Sequence, residues 1–369
     1  MVAFTITVNP SMMKWAREEA GYSIDDAAMH LKTPTEIIAQ WETDGLEVKY
    51  TSLNKLAKFY KRQVAVFFLQ QIPKKVKKPN DYRNLSKSDK AVSAPVMLAI
   101  RRTSRYLETY REFTDQVYIE SQYEWLNEFK NGEAPSSERL RKLLDITEDE
   151  QKLKKNQKFS FWRKRVEDKL GIFVFQFPIP NREFDGFSYV EDGKPYAITI
   201  NSQVAEKRKV FTIFHELGHI ISGDSGICFT TETGAPFSIE AKCNRLAAEF
   251  LMPQKLVEVV DTFEELADVA ESLGVSKHAY LIRLKELRMI SDLDYRKYMS
   301  LVRELNNKIS AVSSPKEGFA IPPAVLSKSY RGDKFFDFVV TNYDNQKFSP
   351  TVVRDLLDMR VVGLSRSKK

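Results

Sequence analysis

The stretch Val210-Phe211-Thr212-Ile213-Phe214-His215-Glu216-Leu217-Gly218-His219-Ile220-Ile221 decides how this chain is read. On a helix, His215 and His219 are one turn apart and share a face, so their imidazoles can hold one metal ion. Glu216 points to the neighbouring flank, where a metal-activated water needs a general base. A helix with two satisfied core histidines has no need of Glu216 between them. The chain has four histidines, and two fall in this pattern.

Two histidines do not complete a catalytic zinc site, which usually takes three protein ligands and a water. A third histidine in the register that follows the second by a glycine is absent, because Ser222 and Ser225 occupy those positions. Asp224 is off that register, and His278 falls in an ordinary helical stretch. The next helix, Ile239–Met252, has Ile239, Cys243, Leu246, Ala247 and Phe250 as its apolar stripe. Glu240 and Asn244 lie one turn apart on the flank of that stripe. Glu240 can complete the tetrahedron, with Asn244 orienting a ligand by a hydrogen bond. Glu249 and Glu232 compete with Glu240, and spacing alone does not choose among them.

The chain has 369 residues, 43% of them hydrophobic and 12% aromatic, which describes a folding chain of two or three domains. Two cysteines, Cys228 and Cys243, are too few for a disulfide framework and favour a reducing compartment. The first eight residues lack a basic n-region, and no apolar run approaches the roughly twenty residues of a membrane span. The expected location is the cytoplasm, away from membranes. The net charge of +7 is uneven, with basic runs over 74–90 and 152–169 and at Arg366–Lys369.

Residues 10–70 read as a bundle of short helices. Ser23 is a good N-cap for Ile24–Leu31, Lys32-Thr33-Pro34 turns the chain, and Thr35–Glu42 follows with Ile37, Ile38 and Trp41 on its buried side. Beyond a basic linker, one long helix is expected over about 94–129. The period then changes to that of strands at 172–175, 186–190 and 196–200, with a turn at 192–195 before the last. Two further helices are expected near the C-terminus, at 335–340 and 349–357.

Two resemblances add to this reading. Trp15 through Ser23, with Ala27-Ala28, Trp41-Glu42 and Leu56-Ala57, resembles the Cro/repressor-type (XRE-family) helix-turn-helix domain. That implies that Thr35–Gln40 enters a DNA major groove, with Lys32, Thr33, Thr35, Glu36 and Gln40 placed to reach DNA. Electrostatics argue against a DNA role for the module alone. Residues 10–60 hold six Lys/Arg against eight Asp/Glu, and phosphate neutralisation supplies most non-specific affinity. A protein-docking domain of the same fold is the alternative.

Phe211 through His219, followed by Glu240-Ala-Lys-Cys-Asn-Arg-Leu-Ala-Ala-Glu-Phe-Leu-Met-Pro253, closely resembles the ImmA/IrrE-type metallopeptidases. Gly171–Phe175, Gly186-Phe-Ser188 and 201–208 extend the likeness upstream, and Val275-Ser276 and Arg283-Leu284 extend it downstream. In that family the first Glu of the second motif is the third zinc ligand, which falls on Glu240. Cys243 stands where alanine is usual and reads as packing. The expected fold is α+β and mostly α. It comprises a helix-turn-helix domain (1–72), a basic linker (73–92), a helical spacer (93–154), a zincin-like metallopeptidase domain with a small sheet (155–298) and a basic helical extension (299–369).

The resemblance implies a zinc endopeptidase with Zn2+ on His215, His219 and Glu240 and with Glu216 as general base. Its expected partner is a protein substrate, a helix-turn-helix repressor cleaved in transcriptional, mobile-element or stress control. The edge of the 196–200 sheet, just before the active-site helix, is expected to receive that substrate as an added strand. The alternative is a DNA-binding regulator or antitoxin-like binding protein, partnered with double-stranded DNA or protein, whose metal site is sensory or structural.

Overall fold

A computed structural model describes residues 4–45, 47–73, 93–129, 136–153, 158–180, 184–191, 193–223, 227–229, 239–312 and 321–361. The basic run 74–90, Lys154, Lys155, Asp224, Glu232 and Arg366–Lys369 lie outside the described residues. The fold is α+β and mostly helical. Two compact units divide the chain, Met1–Arg105 and Tyr106–Lys369.

The first unit contains helices Pro10–Glu19, Ile24–Leu31, Thr35–Thr43 and Tyr50–Phe59 and a 3-10 turn at Val64–Phe68. A two-residue antiparallel pair, β1 (Thr5–Ile6) and β2 (Val48–Lys49), joins the segment before the first of these helices to the segment before the fourth. Met12, Ala16, Ala27, Ile38, Leu53, Leu56 and Phe67 are fully buried and form the core. Ser23 starts the second helix with a capping box, its Oγ accepting from Asp26 N–H while Asp26 accepts from Ser23 N–H. Lys32 stops that helix in the left-handed conformation, φ 54°, and the next helix begins just past Pro34. Arg17 donates from Nε and Nη2 to the Glu42 carboxylate, both at 2.7 Å, a buried pair joining the first and third helices.

The expected single helix over 94–129 is three pieces. Ala94–Glu112 ends, Asp115 accepts from Tyr118 N–H to cap Gln116–Ser121, and Glu124–Phe129 is 3-10. An internal N-cap of this kind starts a separate helix, which periodicity does not report.

The second unit is organised by a four-stranded sheet in the order β3-β5-β4-β6: β3 (Phe173–Phe177), β4 (Phe184–Tyr189), β5 (Ala197–Asn201) and β6 (Ile227–Phe229). β3 runs parallel to β5, while β4 is antiparallel to both β5 and β6. The strand 196–200 is therefore interior, with β3 on one side and β4 on the other, and among the described strands the edges of the sheet are β3 and β6. Every residue of β3, β4 and β5 is buried, so both faces of the sheet are covered.

Phe173, Phe175 and Phe177 alternate along β3 and so share one face. Phe335, from helix Pro323–Asp344, lies edge-on to Phe175 at 5.6 Å and stacks on Tyr106 at 4.5 Å. The C-terminal helix is thus part of the core of this unit. The same helix breaks at Gly332 (φ 81°, ψ 164°), where the buried Glu167 carboxylate accepts from the backbone N–H of Asp333 and Lys334. Glu167 also accepts from Val174 N–H of β3 at 3.3 Å and faces Arg163 at 3.5 Å. One side chain thereby holds helix Phe159–Leu170, β3 and the C-terminal helix together.

Helix Glu206–Ile221 carries the two histidines and crosses β4 and β5. Gly186 lets it approach, since a Cβ there would stand 2.8 Å from Thr212 Cγ2 and 2.9 Å from Thr199 O. Trp162, Phe214 and Phe250 form an aromatic cluster, with Phe214 stacked on Phe250 at 4.0 Å, and bind the histidine helix to helices 159–170 and Ile239–Leu251.

Candidate metal centre

His215, Glu216 and His219 are 2%, 0% and 1% exposed on the inner side of the histidine helix. Helix Ile239–Leu251 lies directly against it. The crossing is close because Gly218 has no side chain: a Cβ there would be 3.0 Å from Cys243 Sγ and 3.1 Å from Cys243 Cα. This contact brings the first turn of the second helix over the histidines and sets Glu240 between them.

The two Nε2 atoms are 3.2 Å apart. Glu240 Oε2 is 3.2 Å from His215 Nε2, and Oε1 is 3.1 Å from His219 Nε2. Among the described residues these three form the one group of ligand-type side chains whose donor atoms converge. Tetrahedral donors about 2.05 Å from an ion stand about 3.3 Å from one another, so the spacing and the N2O donor set suit zinc. His215 Nδ1–H donates to Asn244 Oδ1 at 2.9 Å, which leaves Nε2 free to ligate.

The electrostatics follow from burial and proximity. Burial alone raises the Glu240 carboxyl's pKa, but hydrogen bonds from His215 and His219 overcome it and hold the group well below the usual carboxylate range. Burial lowers His219, yet the neighbouring Cys243 and Glu240 side chains outweigh it and lift the pKa to about 11. Burial pushes Glu216 up, with His219, His215 and Ser188 partly opposing the shift. A carboxylate raised in this way has more affinity for a proton than an exposed one.

The other sequence candidates lie apart from this group. His278, on helix Lys277–Glu286, has its pKa lowered by burial and by Arg208 and Arg303. Neither it nor Glu249 joins the converging set, which holds His215, His219 and Glu240 alone. In the first unit, Lys32, Glu36 and Gln40 are exposed, while Thr33 and Thr35 are half-buried. Thr35 Oγ1 donates to Asp25 Oδ1 at 3.4 Å. Asp25, Asp26, Glu36, Asp44 and Glu47 are exposed over residues 23–47, against Lys32 alone as a basic side chain up to 47.

Two neighbours of the site have no role that sequence alone assigns. Gly186 and Ser188 belong to a motif that stands out there only for its family likeness. On β4 they become the gap under the histidine helix and a hydroxyl beside Glu216. A strand pattern marks which residues are buried, but not which helix will cross them.

A buried His-Glu-x-x-His helix on a mixed sheet, with a carboxylate closing the donor set, defines a metallopeptidase-like domain. Residues 167–285 match the family model described as the IrrE N-terminal-like domain, a peptidase family. The match spans the sheet, the histidine helix and Ile239–Leu251 and ends within Lys277–Glu286. No curated protein sequence matches the chain.

Proposed function

We propose that the second unit is a zinc-dependent endopeptidase with a regulatory role. The observation that carries this reading is the convergence of His215 Nε2, His219 Nε2 and Glu240 at tetrahedral spacing beside the fully buried Glu216. Zinc held there would polarise a peptide carbonyl and lower the pKa of a water.

The chain's own residues divide the remaining work. His215 and His219 present Nε2 lone pairs, and Asn244 fixes the His215 tautomer. Glu216 accepts a proton as water attacks the carbonyl and delivers it to the departing amine nitrogen. Its burial raises its proton affinity and so favours the protonated form needed for delivery.

An extended substrate strand would add beside β6, because β5 is enclosed between β3 and β4. The proposed substrate is a helix-turn-helix repressor, in keeping with the resemblances of both units and a cytoplasmic setting. The first unit would recruit that partner through the exposed face around Thr35–Thr43, by contact with protein or with DNA through Lys32, Thr33, Thr35, Glu36 and Gln40. The test uses purified full-length chain, its metal content, and hydrolysis of the repressor encoded beside it. Glu216→Gln should keep zinc and lose hydrolysis; equal hydrolysis by the variant sinks the catalytic assignment.

A further inference from the structure

Helix Ile239–Leu251, which carries Glu240, ends under buried side chains from three other helices. Arg141, on helix Ser137–Leu143, donates from Nη1 to Phe250 O at 2.8 Å. Gln151, on helix Glu148–Lys152, donates from Nε2 to Leu251 O at 2.6 Å. Arg283, on helix Lys277–Glu286, donates from Nε to Met252 O at 3.2 Å. All three side chains are buried. A helix leaves its last carbonyls without internal partners, and here three successive ones each receive a separate donor. Two of the donors are guanidinium groups, whose charge suits the negative end of the helix dipole.

The two short helices form a braced pair. Arg141 Nη1 also donates to Gln151 Oε1 at 2.7 Å, so the donors on adjacent carbonyls hold each other. Arg165 donates to Asp145 O, in the turn between the two helices, at 3.0 Å and to Glu150 Oε1 at 2.9 Å. Lys255, just past the Glu240 helix, pairs with Glu148 at 2.5 Å. The stretch that reads in the sequence as a spacer is therefore built onto the end of the helix that supplies the third ligand.

A rigid rod is located by two fixed points. One is the crossing of Gly218 and Cys243, a close apolar contact that by itself fixes neither sliding nor rotation of the helix about its axis. The other is the carbonyl clamp, whose directional hydrogen bonds fix both. Glu240 lies about 16 Å along the same helix from Leu251, and a metal site tolerates a displacement of only about 0.5 Å. We propose that Arg141 and Gln151 are positioning residues for the metal centre, holding the helix where Glu240 meets His215 and His219. This role rests on the metallopeptidase reading.

The test is made on full-length protein with Arg141→Met, Arg141→Lys and Gln151→Glu. The last keeps a partner for Arg141 but turns a carboxylate oxygen toward Leu251 O. Gly332→Ala, which strains the junction at Glu167 instead, is the control for a general loss of stability. Zinc affinity is read by chelator competition and ligand geometry by the visible bands of cobalt-substituted protein, both well below each thermal midpoint. Arg141→Met and Gln151→Glu should each weaken zinc binding about tenfold and shift the cobalt bands, and Arg141→Lys should recover most of the affinity. Gly332→Ala should change neither. Wild-type affinity and cobalt bands in both clamp variants, or an equal loss in Gly332→Ala, would overturn the proposal. If Arg141→Met does not fold, Gln151→Glu decides by the same criteria.

A wild-type chain that binds no zinc would overturn the metallopeptidase reading itself. The clamp is then read in metal-free protein, by hydrogen exchange at the Cys243 and Asn244 amides. Faster exchange there in Gln151→Glu would still support a hold that reaches the turn carrying Glu240. Exchange that changes only at residues 250–252, or nowhere, would overturn it.

Discussion

Gly332 and Glu167 share one small space: a Cβ on Gly332 would collide with the Glu167 carboxylate that accepts from the next two backbone amides. The glycine also holds φ 81° and ψ 164°, a region open essentially to glycine alone. Gly332→Ala should therefore lower stability by about 3 kcal/mol or more, from backbone strain and displacement of a buried carboxylate. Urea unfolding of the full chain measures this, and a loss below about 1 kcal/mol would show that the two residues are not coupled as described.

Lys334 gives a pH signature to the same junction. Its ammonium donates to Gly171 O at 2.8 Å, yet burial lowers its pKa from 10.5 to about 8, with Glu167 and Asp168 opposing. Between about pH 8 and 10.5 the unfolded chain binds this proton and the folded chain does not, so this group's contribution to stability rises with pH there. Below that window both states are protonated and the contribution is flat. Lys334→Met should remove a rise of about 2 kcal/mol, seen as the difference between wild-type and variant unfolding curves from pH 7 to 10. Parallel curves would reject the assignment.

Metal affinity should separate ligand from orienting group. Glu240→Ala deletes a donor and is expected to weaken zinc binding by more than about a hundredfold, whereas Asn244→Ala should cost about ten- to a hundredfold. Chelator competition reads both, and the reverse ranking would move the third ligand away from Glu240.

Gly186 controls how deeply the histidine helix seats on β4. Gly186→Val must push apart Thr212 and the β5 backbone, at a cost of about 1–3 kcal/mol. Because Thr212 precedes His215 by one turn, zinc affinity should fall together with stability. Affinity that stays at the wild-type value while stability falls would show that the ligands are set independently of the sheet.

The exposed face of the first unit makes a test of DNA contact simple. With five exposed carboxylates and one lysine over residues 23–47, binding of a duplex from the chain's own upstream region should be weak and vanish above about 0.1 M salt. Fluorescence anisotropy across salt concentrations reads it. Sequence-specific binding that survives physiological salt and is lost in Gln40→Ala would establish DNA as the partner instead.

How much of the molecule is legible in its sequence depends on how local each determinant is. His215 and His219 are four residues apart, so helical geometry by itself puts them on one face. Glu240 is one of three competing carboxylates until the family likeness selects it, because its position over the histidines depends on the close crossing at Gly218 and Cys243. The expected 94–129 helix is too long, since a single side chain, Asp115, restarts it. The interior position of β5 escapes a sequence reading for a larger reason. Strand order β3-β5-β4-β6 is decided by pairings across dozens of residues, and period-2 alternation carries no record of which strands become neighbours.

Glu167 has one further effect, through its hold on Val174 N–H. β3 is an outer strand of the sheet, and outward amides on such strands invite pairing with other chains. Here a carboxylate already occupies one of them, and the C-terminal helix packs against the strand. Growth of the sheet by pairing with another chain is thereby discouraged at β3, where the fold guards its own margin.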